Sequence, residues 1–271
     1  PGSTHGYDIV DHSQLNPEIG PDDDHEAMLA ALREHGLGLL LDVVPNHMGI
    51  LGNENPWWND VLENGQASIF AGSFDIDWAA PTRPESRGRV LLPILGGLYG
   101  DVLEGGELKL ARDGGSFHVA YHEHRFPLDP RTYQAGLEPA LGPIVAALGP
   151  EADETLEFQS ILTAVRNLPA HDETDPPRVA ERHREKEIVK RRLATLLESS
   201  PAAAAAVDRA LDDLDGEPGD PRSFDAFDEL LQAQPYRLAY WRVASDEINY
   251  RRFFDINALA ALRADRWEVV R

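Results

Sequence analysis

The chain has 271 residues, 42% of them hydrophobic and 27% charged, which is enough for one large domain or two ordinary ones around a packed core. Its 47 Asp and Glu outnumber 25 Lys and Arg, and a formal charge of −22 argues against nucleic acid or an anionic membrane as main partner while leaving a neutral substrate open. With no cysteine there is no disulfide, thiolate metal site or cysteine nucleophile, and no apolar run approaches the length of a membrane span. No basic-then-apolar leader opens the sequence, so the expected location is the cytoplasm.

Residues 1–22 are acidic and rich in turns. Residues 23–35 are predicted to be helical: Asp22 to Asp24 offer N-caps, Ala27, Leu29, Ala30 and Leu32 an apolar face, and Gly36 a stop. Leu37 to Val44 is a near-continuous apolar run after a helix and a glycine, which predicts a buried parallel strand. Loop, helix and strand make one unit of an α/β fold. Residues 45–85 lose that rhythm and read as irregular. Short strands are predicted at Val90–Leu92, Leu108–Ala111 and Phe117–Tyr121, separated by Gly105-Gly106 and Gly114-Gly115. Helices are predicted over 153–166, 178–199, 202–214 and 223–233, with a linker-like break at 217–221. The mixed-charge stretch 171–192 reads as a solvated helix face. Both ends, at Pro1 and Arg271, read as cut. The order is thus one α/β unit followed by a long α+β excursion. Such insertions usually leave from the C-terminal end of a barrel or sheet strand, where active sites are built.

The predicted strand ends in Asp42-Val43-Val44-Pro45-Asn46-His47. A carboxylate inside an apolar run needs a cation or several donors. Pro45 stiffens the turn, and Asn46 and His47 stand at the strand mouth. On spacing alone a plain structural role also fits: Asp42 pairs with a core arginine, and Asn46 and His47 cap the loop. Trp57 and Trp58 are adjacent, so they do not share one helix face, and at most one meets a ligand while the other packs. Tyr250-Arg251-Arg252-Phe253-Phe254 is an aromatic and cationic cluster. It fits either a lid wall over a ligand or an anchor for the long excursion.

Leu39 to His47 resembles the first signature region of the α-amylase family, glycoside hydrolase family thirteen, which ends the third strand of its barrel. Gly6-Tyr7-Asp8-Ile9-Val10-Asp11 is similar to the segment after the second strand. Further blocks narrow the resemblance to a glucan-rearranging branch of the family. They are Pro1 to Asp8, Asn55 to Gly65, Phe74 to Trp78, Tyr240-Trp241-Arg242 and Ser245 to Asn257. The implied fold is α/β: a partial (β/α)8 TIM barrel around strands two to three, with a large inserted α+β domain B rich in helices. The implied division is 1–50 for the partial barrel, 51–235 for the insert and 236–271 for the return to the barrel.

The resemblance also implies roles. Asp42 is the structural acid bonded to an arginine near the nucleophile, and Asn46 braces the loop into the insert. His47 hydrogen-bonds the glucose at the cleavage point, and Tyr7 stacks on that ring. His5 and Asp8 stand beside Tyr7, while Trp57 and Arg252 extend the sugar platform and its wall. The implied reaction is an intramolecular transglycosylation, moving the reducing-end α-1,4-linked glucose of a maltooligosaccharide into an α,α-1,1 trehalose link. It needs no cofactor, and its pathway partner is a trehalohydrolase acting on the trehalose-ended product. The sequence departs from the family in one respect. Retaining glycoside chemistry needs two carboxyl groups about 5–5.5 Å apart, and the family's nucleophile is the Asp of a Gly-x-Arg-x-Asp strand. The nearest string, Ala261-Leu262-Arg263-Ala264-Asp265, lies in an Ala/Leu-rich stretch that reads as helical, and is taken as a decoy. The nucleophile and acid/base are therefore expected beyond Arg271, and this chain alone is expected to be inactive. Another α-glucan hydrolase or transferase, or a non-catalytic glucan-binding module, are the alternatives.

Overall fold

The computed structural model describes residues 5–79 and 84–270. Pro1 to Thr4, which open one of the resembling blocks, lie outside the described residues. The first helix, α1, spans Asp22–Glu34, and its three leading acids sit in the first turn, where they complement the positive end of the helix dipole. They do not cap it: Pro21 precedes the helix with no side-chain cap bond, and α1 buries no residue.

The expected strand Leu37–Val44 is absent. The segment is irregular and exposed, with Leu40 97% and Leu41 70% accessible. Among the described residues, no backbone–backbone hydrogen bond is made by residues 38–45. A parallel strand is stable only with neighbours on its edges and cover on both faces, and the described residues supply neither. The apolar run is a necessary mark of such a strand and not a sufficient one. No barrel closes among the described residues. Their strands form three small sheets instead.

The ordered body begins at β1 (His47–Gly49). Next comes α2 (Pro56–Asn64), a helix inside the stretch read as irregular. Asn55 caps it by accepting from the Trp58 amide at 2.9 Å, and Pro56 starts its first turn. Then come β2 (Val90–Leu95), α3 (Tyr99–Glu104), β3 (Leu108–Asp113), β4 (Ser116–Tyr121) and β5 (His124–Pro127). Four helices follow: α4 (Gln134–Leu148), α5 (Asp153–Asn167), α6 (Pro176–Ser199) and α7 (Pro201–Leu214). The chain continues through α8 (Asp225–Gln232), β6 (Tyr236–Tyr240), the single turn α9 (Ala244–Glu247), β7 (Arg252–Phe253), β8 (Ile256–Ala261) and the short α10 (Trp267–Val270). Among the described residues, no helix is long and apolar enough to cross a membrane.

β3, β4 and β5 form an antiparallel meander whose inner face buries Leu108, Leu110, Phe117, Val119, Tyr121 and Phe126, the alternation expected of a sheet packed on one side. The tip of the β3–β4 turn rests on α6. A Cβ at Gly115 would collide with the Lys190 carbonyl oxygen, so this close approach requires glycine. Helix α4 packs against α5 and α7, α5 against α6, and α6 against α7, closing a four-helix bundle. β2 and β6 pair in parallel, Leu91 opposite Arg237, and both strands end at the same side. In the third sheet, β8 is central, flanked by β1 and β7, with His47 opposite Ala261. Residues 74–77 extend it: Phe74 bridges Leu262, and Ile76 bridges Tyr250. Ala261 therefore ends a β-strand, which corrects the helical reading of that stretch. Its small side chains fit where β8 is clamped between two neighbours.

The mixed-charge helix α6 is the other correction. Arg182 and Lys186 are 0% and 3% exposed rather than solvated. With Lys190 they recur every four residues, so they share one stripe, and that stripe faces α2. Arg182 donates to Asp129 at 2.6 Å, to Asn64 Oδ1 at 3.0 Å and to the Pro169 carbonyl at 2.5 Å. Lys186 donates to Glu63 at 2.7 Å, and Lys190 also reaches Glu63. Charge balance alone does not tell a solvated face from a buried network. Apart from Glu187 on α6 itself, the matching acids lie more than fifty residues away, on α2 and before α4.

Candidate functional site

The residues singled out at the N-terminal end fall into one patch along the start of β1. Gly49 donates its amide to the Ile9 carbonyl at 2.8 Å, which ties the 5–12 loop to this strand. His12 reaches the Val44 carbonyl at 3.2 Å, a second tie. On this loop Tyr7 is 46% exposed, and its hydroxyl donates to Asp42 Oδ2 at 2.9 Å. That bond, and then the carboxylate's charge, raises the phenol's pKa, so Tyr7 stays protonated. Its amide donates to His5 Nδ1 at 3.1 Å, and the two rings stack 5.5 Å apart. His5 Nε2 lies 3.7 Å from Asp8. Among the described residues Asp42 accepts from a tyrosine and is exposed; the arginine expected for it belongs beside the nucleophile, beyond Arg271. With Leu37–Val44 out of any sheet, nothing carries Asp42 into a core.

His47 behaves differently, because β1 is paired and the segment before it is not. It is 2% exposed, stacks on Phe253 at 4.0 Å and 14°, and meets Asn46 Oδ1 through Nδ1 at 2.9 Å. Burial lowers its pKa, against the opposing charge of Asp8 and the Tyr7 carbonyl, so the imidazole is neutral at pH 7. Asn46 accepts from the Leu262 amide through its carbonyl at 2.9 Å, which anchors the β1 entrance to the end of β8. Arg252 shares an open cleft with Asn46 and Phe253. It is held by Asn257 Oδ1 at 2.5 Å and by Asp255 at 3.2 Å.

The cluster at 250–254 divides between its two expected readings. Tyr250 is an anchor: it is buried, sits edge-on to Trp58 at 5.2 Å, and donates its hydroxyl to the Asn257 carbonyl at 3.1 Å. Phe254 is 81% exposed at a turn where it and Asp255 hold φ of +48° and +58°. Both residues of such a turn normally favour Gly, Asn or Asp. A phenylalanine held there presents an aromatic face to solvent beside the His47–Phe253 stack. The two adjacent tryptophans also divide. Trp58 is buried against Phe74 and Tyr250. Trp57 is half-buried and stacks on Phe70 at 5.0 Å, so the structure does not bring it to the Tyr7–His47 patch. The sequence reading missed Phe253 as the direct partner of His47. No spacing signal marks it, because two hundred residues separate them.

The patch offers exposed rings at Tyr7 and Phe254, two carboxylates, an amide and a guanidinium, with the neutral His47 imidazole buried beneath them. Rings suit the apolar C–H faces of a sugar, and the polar groups suit its hydroxyls. Among the described residues, no three His, Asp or Glu side chains converge as a metal site requires. Asp265 of the Arg263-Ala264-Asp265 string is exposed and held by its own Arg263 at 2.9 Å, through a contact two residues long.

The family model for the alpha amylase catalytic domain matches residues 1–100, the stretch that carries this patch. That stretch is similar to the α-amylase family. Among the proteins the chain is similar to are maltooligosyl trehalose synthases. A putative maltooligosyl trehalose synthase of Mycobacterium tuberculosis (strain CDC 1551 / Oshkosh) is 41% identical over 124 residues, which is 42% of this chain and 16% of that protein. The solved maltooligosyltrehalose synthase from Arthrobacter ramosus aligns over 99% of this chain and 22% of its own, at 27% identity and a TM-score of 0.52. A further maltooligosyl trehalose synthase crystal structure shares the fold over 99% of this chain and 23% of its own, at 23% identity and a TM-score of 0.55. The chain thus spans less than a quarter of the length of these relatives.

Proposed function

We propose that this chain is the part of a glucan-processing enzyme that supplies one sugar-contacting wall of its active site. The reaction we assign to the whole enzyme is the transfer of a maltooligosaccharide's reducing-end glucose from its α-1,4 link to an α,α-1,1 link. The observation that carries this reading is the Tyr7–Asp42 and His47–Asn46 patch, within the 1–100 stretch similar to the amylase catalytic domain. Tyr7 and the His47–Phe253 stack hold the ring of the glucose to be moved. Neutral His47 and Asn46 meet its hydroxyls, and Asp8 and Arg252 line the rim. In such a rearrangement the freed glucose has to be kept from leaving and water from entering, or hydrolysis competes. An inserted α+β region packed beside the patch suits that task.

The bond-breaking carboxylates are assigned to sequence outside this chain, since no Gly-x-Arg-x-Asp pattern occurs in it. This chain alone is then inactive. The test is incubation of the purified chain with maltopentaose, with reducing ends and trehalose-ended product measured. The expected result is no change in either. Trehalose-ended product would overturn the assignment of the carboxylates. New reducing ends would overturn it too, and would mark the enzyme as a hydrolase.

A further inference from the structure

A second cavity, of about 290 Å³, opens at the C-terminal ends of β2 and β6, and neither Tyr7 nor His47 lines it. Its walls include Pro93 and Ile94 of β2, Trp58 of α2, Phe126 of β5 and Tyr250. Trp241, the first residue after β6, completes them. Asn53, Asn59 and Arg125 stand among these apolar groups, and no carboxylate does. β2 and β6 are the parallel pair of the described sheets, and the C-terminal ends of parallel strands are where open α/β sheets take their ligands.

Trp241 is the telling residue. It belongs to the Tyr240-Trp241-Arg242 block, to which the patch at Tyr7 gives no role. It follows directly on a core strand, yet it is 52% exposed. It is also held in place: the Arg242 guanidinium lies over its ring, 5.3 Å from the centroid. A large indole fixed at a cavity rim and left half in water contributes little to the fold. It is placed as a stacking platform. The volume lies at the small end of ligand pockets, which limits the occupant to about one ring-sized group. Apolar walls with amide, guanidinium and imidazole groups (Asn53, Asn59, Arg125, His124) at the rim suit a pyranose, whose C–H faces stack on rings and whose hydroxyls take polar partners, and the lack of a carboxylate argues against a cation.

We infer that this cavity is a second carbohydrate subsite, taking one glucosyl unit of an α-1,4-glucan, with Trp241 as its platform. The inference rests on the glucan reading above and deepens it. Ile50 and Leu51, which line the cavity, follow β1 four residues or fewer after His47. At a strand rise of about 3.3 Å per residue the two sites lie within roughly 13 Å along the chain, so one oligosaccharide reaches both. The enzyme thereby holds its substrate by a unit remote from the glucose that moves.

The test is calorimetric titration of maltopentaose into the chain and into Trp241→Ala, Trp241→Phe and Tyr7→Ala variants. Thermal unfolding is recorded for each. Trp241 is half-exposed, so its variants are expected to melt with the parent chain. The expected result is at least tenfold weaker binding for Trp241→Ala and recovery of most of that loss in Trp241→Phe, which keeps a ring. Unchanged affinity in Trp241→Ala, with affinity lost in Tyr7→Ala, would overturn the cavity subsite and leave the glucan reading standing. Absence of any binding by the parent chain would overturn both.

Discussion

Replacing Arg182 with Ala is expected to destabilise the chain by about 3–5 kcal/mol, the cost of removing one partner from a buried ion pair. Arg182 is fully buried, and it is the group that satisfies Asp129, whose side chain is 2% exposed. Without it, Asp129 keeps the His171 ring, at 3.0 Å, and the Arg131 amide, and the Pro169 carbonyl and Asn64 lose their donor. The acid limb of the stability curve follows from the same contacts. Burial pushes the Asp129 carboxyl up, but the His171 hydrogen bond and the Arg182 charge outweigh it and hold the pKa below the usual 3.8. A carboxyl whose folded pKa is depressed contributes fully above its unfolded value, and the contribution is lost as pH falls through the folded one. In Arg182→Ala, burial acts without the guanidinium's charge and hydrogen bond to oppose it, so acid unfolding is expected to begin at higher pH. Arg182→Lys restores the charge without the fork of donors and is expected to recover only part of the loss. Urea midpoints from pH 7 down to the acid transition check both statements. An unchanged midpoint in Arg182→Ala would mean that the network is bystander chemistry.

The second large effect falls on the adjacent tryptophans. Trp58→Ala is expected to cost about 3–5 kcal/mol, as for other fully buried aromatic truncations. Trp58 is 2% exposed and packs edge-on against Phe74 at 5.0 Å and Tyr250 at 5.2 Å, so it joins α2 to the 74–77 segment and to the residues leading into β7. Trp57 is half-buried, stacked on Phe70 at the edge of the core, and Trp57→Ala is expected to cost well under half as much. A side-by-side denaturation of the two variants decides this. Equal losses would mean that α2 is oriented otherwise.

These two sites show how unevenly the molecule was legible in its sequence. The helices α5, α6 and α7 were readable because their caps and breakers are local: Pro176 and Pro201 start two of them, and Asp153 and Glu154 fill the first turn of the third. Helix α4 was not readable, because Pro139 and Pro143 lie inside it and argue for a break. The strand at 37–44 was over-read. Its apolar run is a local signal, but pairing is a property of neighbours, and here none is among the described residues. In the site, Tyr7, Asp42, Asn46 and His47 were legible as motif residues. Their mutual contacts were legible only in part: the bond from the Tyr7 hydroxyl to Asp42 spans thirty-five residues, and no local spacing marks it. Phe253 on His47 and Trp241 at the cavity rim are long-range placements, which no spacing rule carries. Arg182 was misread for the same reason, since its acids lie on other elements.

The central claim is that the 5–47 patch of this chain binds an α-glucan. Amide chemical shifts of the labelled chain, followed as maltopentaose is added, test it most directly. Saturable shifts are expected at Tyr7, Asp8, Asn46 and His47, and their loss in Tyr7→Ala. Shifts confined to the α4–α7 bundle, or no saturable shift anywhere, would contradict it.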